Sequence, residues 1–435
     1  MKKLLNRHNL FLAGLCVFVF LFSAAIRINP AIPLFLVILY LCFREKFSKV
    51  KKASLLNLGF LFLISFLIGQ TMLMHGMPFY VIPVSLIPML SVLLLDSLEV
   101  AYFLSLATSV SLASLTSEPF KAWFIFIMLC VSSILLVNKA HKRTTVIRAG
   151  FIAGLIQLAS LILIEYLWIN SPERYIMLLL SSLISGIVVL GVLPVFEYLL
   201  QTVTNISLLE LADSHHPILQ RMILEAPGTY HHSLIVGNLS DTACNAIGAN
   251  GLLARIGSYY HDIGKLQKPE YFIENQQIKN NLHDTLSPTM SKMIIMNHIK
   301  EGLELAKKHS LSPALWDFIQ RHHGNSLVYY FYRRALEGKE EDQEVTEEGF
   351  RYPGPKPNTK ETAVVLLADS VEAATRALKD PTPAKIEEVV HKIINNKFID
   401  GQLDECDLTL KDLEKISSVF TKILSGIYHS RVNYS

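Results

Sequence analysis

The sequence predicts an all-α protein in two halves: a polytopic transmembrane helical bundle, then a helical cytoplasmic domain. Three observations predict it. Apolar runs of spanning length fill the first 200 residues and stop after Gln201. Histidines run the other way, with three before that point (His8, His75, His141) and twelve after it. The basic residues between the apolar runs fall mostly on one side. Composition agrees. The chain has 435 residues, 51% hydrophobic and 18% charged, where a soluble chain carries about 25% charged residues. Mean hydropathy is +0.37. This excludes a disordered chain and argues against a purely cytosolic enzyme. A net charge of +3 is too small for bulk electrostatic attraction to nucleic acid, so no DNA or RNA polymer is expected as a partner. Cys16, Cys42, Cys130, Cys244 and Cys406 form no CxxC pair. Neither a disulfide framework nor a thiolate zinc site is indicated.

The candidate spans are 10–26, 30–43, 54–74, 78–95, 97–115, 122–138, 149–168 and 175–200; a span takes roughly 17–25 apolar residues. The first, a basic start followed by an apolar run, is read as an uncleaved anchor. With the N-terminus inside, the inner segments hold 12 Lys and Arg and the outer segments 3, namely Arg27, Lys121 and Arg174. That bias sets the orientation and leaves residues 201–435 in the cytoplasm. Polar groups inside the spans are few. Gln70 and Gln157 are neutral, and Glu165 and Glu197 lie near span ends. A transporter would need more intramembrane ionisable groups, so this half reads as anchor, scaffold or signal relay in the lipid bilayer.

Segment 201–226 reads as an amphipathic linker helix. His215 and His216 before Pro217 read as a turn. Pro227-Gly228 marks a break, Thr229 is the expected helix N-cap, and the helix that follows carries His232. Next come His261-Asp262-Ile263-Gly264-Lys265, then His298 in a helical stretch, His322-His323, and Asp369 in an apolar helical run. Five histidines and two aspartates suffice for two metal ions sharing one carboxylate. Imidazole and carboxylate donors without cysteine favour manganese or iron. Lys265, three residues after Asp262, is a candidate cation beside these ligands, and Arg376 a second. Residues 338–362 read as a surface loop, in which 351–357 lie near the site in sequence; residues 383–430 return to amphipathic helix.

His232, His261-Asp262 and Asp369 resemble the H…HD…D signature of the all-helical HD phosphohydrolase superfamily. His298 and His322-His323 match the extra ligands of its dinuclear phosphodiesterase branch. The strings at 225–233, 248–265, 350–357 and 368–374 are similar to those of PgpH-type seven-transmembrane HD proteins, over about residues 30–430. The resemblance implies a bacterial inner-membrane enzyme that hydrolyses cyclic di-AMP to pApA. It also implies a phosphoryl group as what Lys265 and Arg376 would meet, and a wall of the nucleotide pocket at 351–357. One divalent ion would take His232, His261, Asp262 and Asp369; the other would take Asp262, His298, His322 and His323. His231 is left out, since it points about 100° from His232 on a helix. The resemblance implies domains at 1–29 (anchor), 30–200 (seven spans), 201–226 (linker) and 227–435 (HD phosphodiesterase). It allows a homodimer without specifying one. Two departures stand out. Arg27 to Pro30 occupies the place of the family's large extracellular domain, and no Gly-Tyr-Pro follows His322-His323, which argues against cyclic di-GMP. Other HD hydrolases, of guanosine tetraphosphate for instance, need only one metal's ligands. A non-catalytic nucleotide receptor would be marked by a lost ligand, and all seven are present.

Overall fold

The computed structural model describes residues 52–95, 97–138, 140–165, 172–200, 202–276, 281–338 and 345–428. The candidate spans 10–26 and 30–43 lie outside them, as does the acidic stretch Glu340-Glu341-Asp342. The described residues form helices and no strand, apart from one isolated bridge between Leu327 and Arg351. The chain divides into two units between Ile206 and Ser207.

In the first unit the described helices are α1 (Lys52–Met74), α2 (Leu86–Leu95), α3 (Leu98–Ala113), α4 (Pro119–Val137), α5 (Arg143–Ile164) and α6 (Pro172–Leu200). By length and composition α4, α5 and α6 can each cross a membrane. The run 78–95, expected as one span, is broken. A 3-10 turn covers Phe79–Val81, Ile82 is extended with ψ 128°, and α2 has ten residues, about 15 Å of helix. Pro83 explains the break, because it lacks a donor and drives the preceding residue out of the helical region.

The carbonyls freed by that break are satisfied by side chains, as water-poor surroundings require. Gln157 Nε2 donates to Tyr80 O (3.5 Å) and Ser181 Oγ to Val81 O (2.7 Å), while Ser182 Oγ donates to Gln157 Oε1 (2.8 Å). This accounts for a buried glutamine in an apolar helix. α5 and α6 meet through small residues. A Cβ at Gly150 would lie 2.8 Å from the Ser182 carbonyl oxygen, and one at Gly186 would lie 3.1 Å from that of Val146. Close backbone approach of this kind is how helices associate in lipid. The same two helices expose Phe151, Leu155, Leu163, Leu180 and Ile184 and bury Ser182 and Ser185. A soluble bundle does the opposite. Glu165, at the end of α5, binds Lys121 Nζ (2.5 Å) and Arg174 Nη1 (3.2 Å). Two basic residues assigned to outer segments therefore share one carboxylate.

The second unit opens within α7 (Asn205–Leu211), which straddles the boundary, and α8 (Pro217–Glu225) follows; the turn expected at His215-His216 lies between them and divides the linker, expected as one helix, in two. It continues with α9 (Pro227–Ala246), α10 (Gly251–Tyr260), α11 (Pro288–Lys308), α12 (Pro313–Arg321), α13 (Tyr329–Glu337), α14 (Lys360–Arg376), α15 (Pro383–Ile399) and α16 (Leu410–Ile427). α14 is the core helix. Ala363, Val364, Val365, Leu366, Leu367 and Ala368 are all fully buried, so it is apolar all round, as a helix enclosed by others must be. A capping box of Thr359 and Thr362 starts it, satisfying two of the backbone donors that a helix start leaves open. α9 packs on α10, α14 and α16. Thr229 does not cap α9. The helix starts earlier, at Pro227, whose fixed φ suits the first helical position, and Ala226 takes the cap position. Thr229 is buried instead, with its hydroxyl on Glu274 Oε1 (3.1 Å) and its backbone N–H on Asn275 Oδ1 (3.1 Å).

Candidate metal centre

Three helices and two turns at helix ends bring the seven expected ligands together. α9 carries His232 in its second turn. His261 and Asp262 follow the end of α10, and α11 carries His298. His322 and His323 follow the end of α12, and α14 carries Asp369. Gly264 permits this convergence. A Cβ there would lie 1.8 Å from the His298 carbonyl oxygen, so only glycine lets the His261-Asp262 turn press against α11.

The side chains form two groups. The donor atoms of His232, His261, Asp262 and Asp369 lie within 4.8 Å of one another, and so do those of His298, His322 and His323. Asp262 joins the groups. Its Oδ2 lies 3.1 Å from His261 Nε2 and 3.7 Å from His232 Nε2; its Oδ1 lies 3.4 Å from His298 Nε2 and 3.5 Å from His322 Nε2. Asp369, expected on the first group alone, also spans. Its Oδ1 meets His232 Nε2 at 3.0 Å, and its Oδ2 lies 3.5 Å from His323 Nδ1.

The other ring nitrogens are tied down. His261 Nδ1 donates to Ser258 O (2.6 Å), His298 Nδ1 to Ile295 O (2.5 Å) and His322 Nδ1 to Ile319 O (2.9 Å). His232 Nδ1 donates to Glu372 Oε2 (2.5 Å). Each such bond fixes a ring so that Nε2 faces the centre, the arrangement that orients histidine toward a metal.

Electrostatics agree with a cation-binding set. Burial lowers the His298 pKa to about 4 and that of His323 well below its usual value, so both are neutral imidazoles near pH 7. Burial alone would raise Asp262, but His261 and Lys265 outweigh it and hold the carboxyl well below its ordinary range. Asp369 is likewise held low, against burial, chiefly by the hydrogen bond from His232. Burial opposes a charge on His261, yet Asp262 raises it to about 10. Without a metal ion, protons gather where the carboxylates call for positive charge. Asp262 Oδ1 and His261 Nε2 are buried with no hydrogen-bond partner, a costly condition that a cation between the groups relieves. The donor set therefore fits a metal.

The two expected cations have different fates. Lys265 reaches the cluster, with Nζ 2.7 Å from Asp262 Oδ2 and 2.7 Å from Glu274 Oε1. Arg376 is engaged beside the cluster. Its guanidinium pairs with Glu372 and approaches His232 Nδ1 (3.1 Å), so it sits behind a ligand. His231 is exposed, as the helical angle requires, and His215 pairs with Asp213 away from both groups. The supposed surface loop at 338–362 folds inward in part. Phe350 and Tyr352 are buried, and the Tyr352 ring stacks on His323 at 4.4 Å, which places the 351–357 stretch at the cluster. Glu372 escaped the sequence reading, and Tyr352 entered it only as part of the 351–357 stretch. Glu372 did leave a signal, since it lies three residues from Asp369, on the same face of a buried helix.

Comparison with known proteins adds the family. Residues 22–204 match the family described as a 7TM receptor with intracellular HD hydrolase, and residues 229–374 match the HD domain. The cyclic-di-AMP phosphodiesterase PgpH of Bacillus subtilis is 43% identical over 310 residues, 70% of this chain. The PgpH of Listeria monocytogenes is 38% identical over 389 residues, 87% of this chain. The chain belongs to the PgpH-type seven-transmembrane HD family. It spans about half the length of these relatives, 43% and 53% respectively. The HD domain of L. monocytogenes PgpH, solved alone and in complex with cyclic-di-AMP, is 46% identical with a TM-score of 0.47; it covers 49% and 50% of this chain and is itself covered in full. As a member of the family the chain is a membrane protein, and all seven clustered ligands fall within its HD match.

Proposed function

We propose that the chain is a membrane-anchored phosphodiesterase that hydrolyses cyclic di-AMP to pApA at a dinuclear metal centre. The observation that carries the reading is Asp262, which turns one carboxylate oxygen to each of two groups of buried ligands. The relatives named as cyclic-di-AMP phosphodiesterases support the substrate. One ion is assigned to His232, His261, Asp262 and Asp369, and the other to Asp262, His298, His322 and His323. Manganese or iron suits this nitrogen and oxygen set. The 12-to-3 loop bias supports a cytoplasmic HD unit at 227–435 behind an anchor at 1–29, spans at 30–200 and a linker at 201–226,.

A pair of divalent ions supplies an activated water nucleophile and offsets the charge on the phosphoryl oxygens. The chain's own residues prepare that chemistry. The Nδ1 hydrogen bonds of His232, His261, His298 and His322 hold each ring in one tautomer. His261 and Lys265 hold the Asp262 carboxyl below its ordinary range. His323 is the most open ligand, with a side chain 20% exposed, so a phosphodiester approaches from its side, against Tyr352. Water adds to phosphorus, the bond to the 3′ oxygen breaks, and that oxygen leaves with a proton as a hydroxyl. The intact trio of His298, His322 and His323 weighs against a one-metal hydrolase of another nucleotide.

The test is a panel of substrates on the purified full chain loaded with manganese. A site that hydrogen-bonds one purine edge rejects another because its buried polar groups go unpaired. The expected kcat/KM for cyclic di-AMP exceeds that for cyclic di-GMP by about tenfold or more. Equal rates, or cleavage of guanosine tetraphosphate alone, would overturn the substrate assignment.

A further inference from the structure

Lys397, on α15, lies outside the HD match and outside the ligand set. Its Nζ donates to Ser326 Oγ at 2.7 Å and forms no ion pair among the described residues. Ser326 is tied by its backbone to the cluster's edge. Its N–H donates to His323 O (3.0 Å), and its carbonyl accepts from Tyr352 N (3.0 Å). One residue therefore links the ammonium to the stacked pair His323 and Tyr352, beside the most exposed ligand of the cluster.

The neighbouring cations are already engaged. Lys265 has Asp262 and Glu274, Arg376 has Glu372, and Arg351 has Asp400 and Glu347. Lys397 alone among these four has a neutral partner. Burial lowers its pKa although Asp369 and Asp400 pull the other way. A half-buried ammonium without a counter-ion is unfavourable unless an anion completes it. A cyclic dinucleotide brings two phosphodiesters, and only the one being cleaved occupies the metal centre. The other needs a cation nearby, and lysine serves phosphate as a compact point charge.

We infer that Lys397 is the counter-ion for the second, uncleaved phosphodiester of a cyclic dinucleotide, a role that rests on the phosphodiesterase reading above. It would make the site selective for cyclic dinucleotides over substrates with a single phosphate.

The experiment uses the full chain with manganese and three forms: wild type, Lys397→Met and Lys397→Arg. Substrates are cyclic di-AMP and bis(p-nitrophenyl) phosphate, which has one phosphodiester; affinity for cyclic di-AMP is measured in parallel. Lys397→Met should raise KM and weaken binding of cyclic di-AMP about tenfold or more, the loss of one charge-assisted hydrogen bond. Its kcat should fall less than KM rises, and the single-phosphate substrate should suffer far less. Lys397→Arg should recover most of the lost affinity. Equal losses on both substrates would show a structural role and overturn the inference. Unchanged binding of cyclic di-AMP by Lys397→Met would overturn it while leaving the phosphodiesterase reading intact. A wild type that neither binds nor cleaves cyclic di-AMP would remove that reading, and this inference with it.

Discussion

Asp262→Ala is expected to reduce hydrolysis of cyclic di-AMP to background and to lower metal content from two ions per chain toward one or none. Asp262 turns one oxygen toward His232 and His261 and the other toward His298 and His322. Its loss also leaves Lys265 with Glu274 as its remaining carboxylate. Helical content, read by circular dichroism, should persist, because the core of α14 is apolar and independent of the ligands. His215→Ala, in an exposed pair with Asp213, should leave metal content and rate near wild type. An Asp262→Ala protein that keeps two metals and a near-normal rate contradicts the dinuclear assignment.

Gly264→Ala is expected to produce a large loss of stability from one methyl group. Its Cβ would lie 1.8 Å from the His298 carbonyl oxygen and 2.6 Å from the Gly302 nitrogen. Neither backbone atom can swing aside as a flexible side chain would, so the turn and α11 must separate. Overpacking that moves backbone costs about 3 kcal/mol or more, which for a unit of this size lowers the melting temperature by roughly 6–12 °C. Gly338→Ala is the control. Its Cβ meets nothing nearer than Arg334 O at 3.6 Å, and its effect should stay within about 0.5 kcal/mol. Thermal melts of the two variants that coincide would show that the close approach at Gly264 is not needed.

The ligands were legible because each sits in a short string of unusual composition. His261-Asp262-Ile263-Gly264-Lys265 and Asp369 in an apolar run stand out locally, and their convergence follows from the family resemblance. What holds them was not legible. Glu372 behind His232 and Tyr352 on His323 are contacts across long sequence separations, and Glu274 reaches Lys265 across an irregular turn of nine residues; no helical or strand period encodes such pairs. Arg376 shows the same limit from the other side. Its place seven residues after Asp369 suggested the cleft, whereas Glu372, one turn before it on the same helix, holds it behind His232. In the membrane half, apolar runs located α4, α5 and α6 well, because hydropathy reports burial in lipid. Hydropathy does not report backbone breaks. The interruption at 78–95 was written in Pro83, and the linker's in the His215-His216 turn.

Hydrolysis of cyclic di-AMP by the manganese-loaded full chain in ¹⁸O-enriched water, with the product identified by mass spectrometry, tests the central claim most directly. The account predicts linear pApA carrying one solvent oxygen on its terminal phosphate, formed only when metal is present. Formation of any other product, or no product from cyclic di-AMP while both ligand groups hold metal, would contradict it.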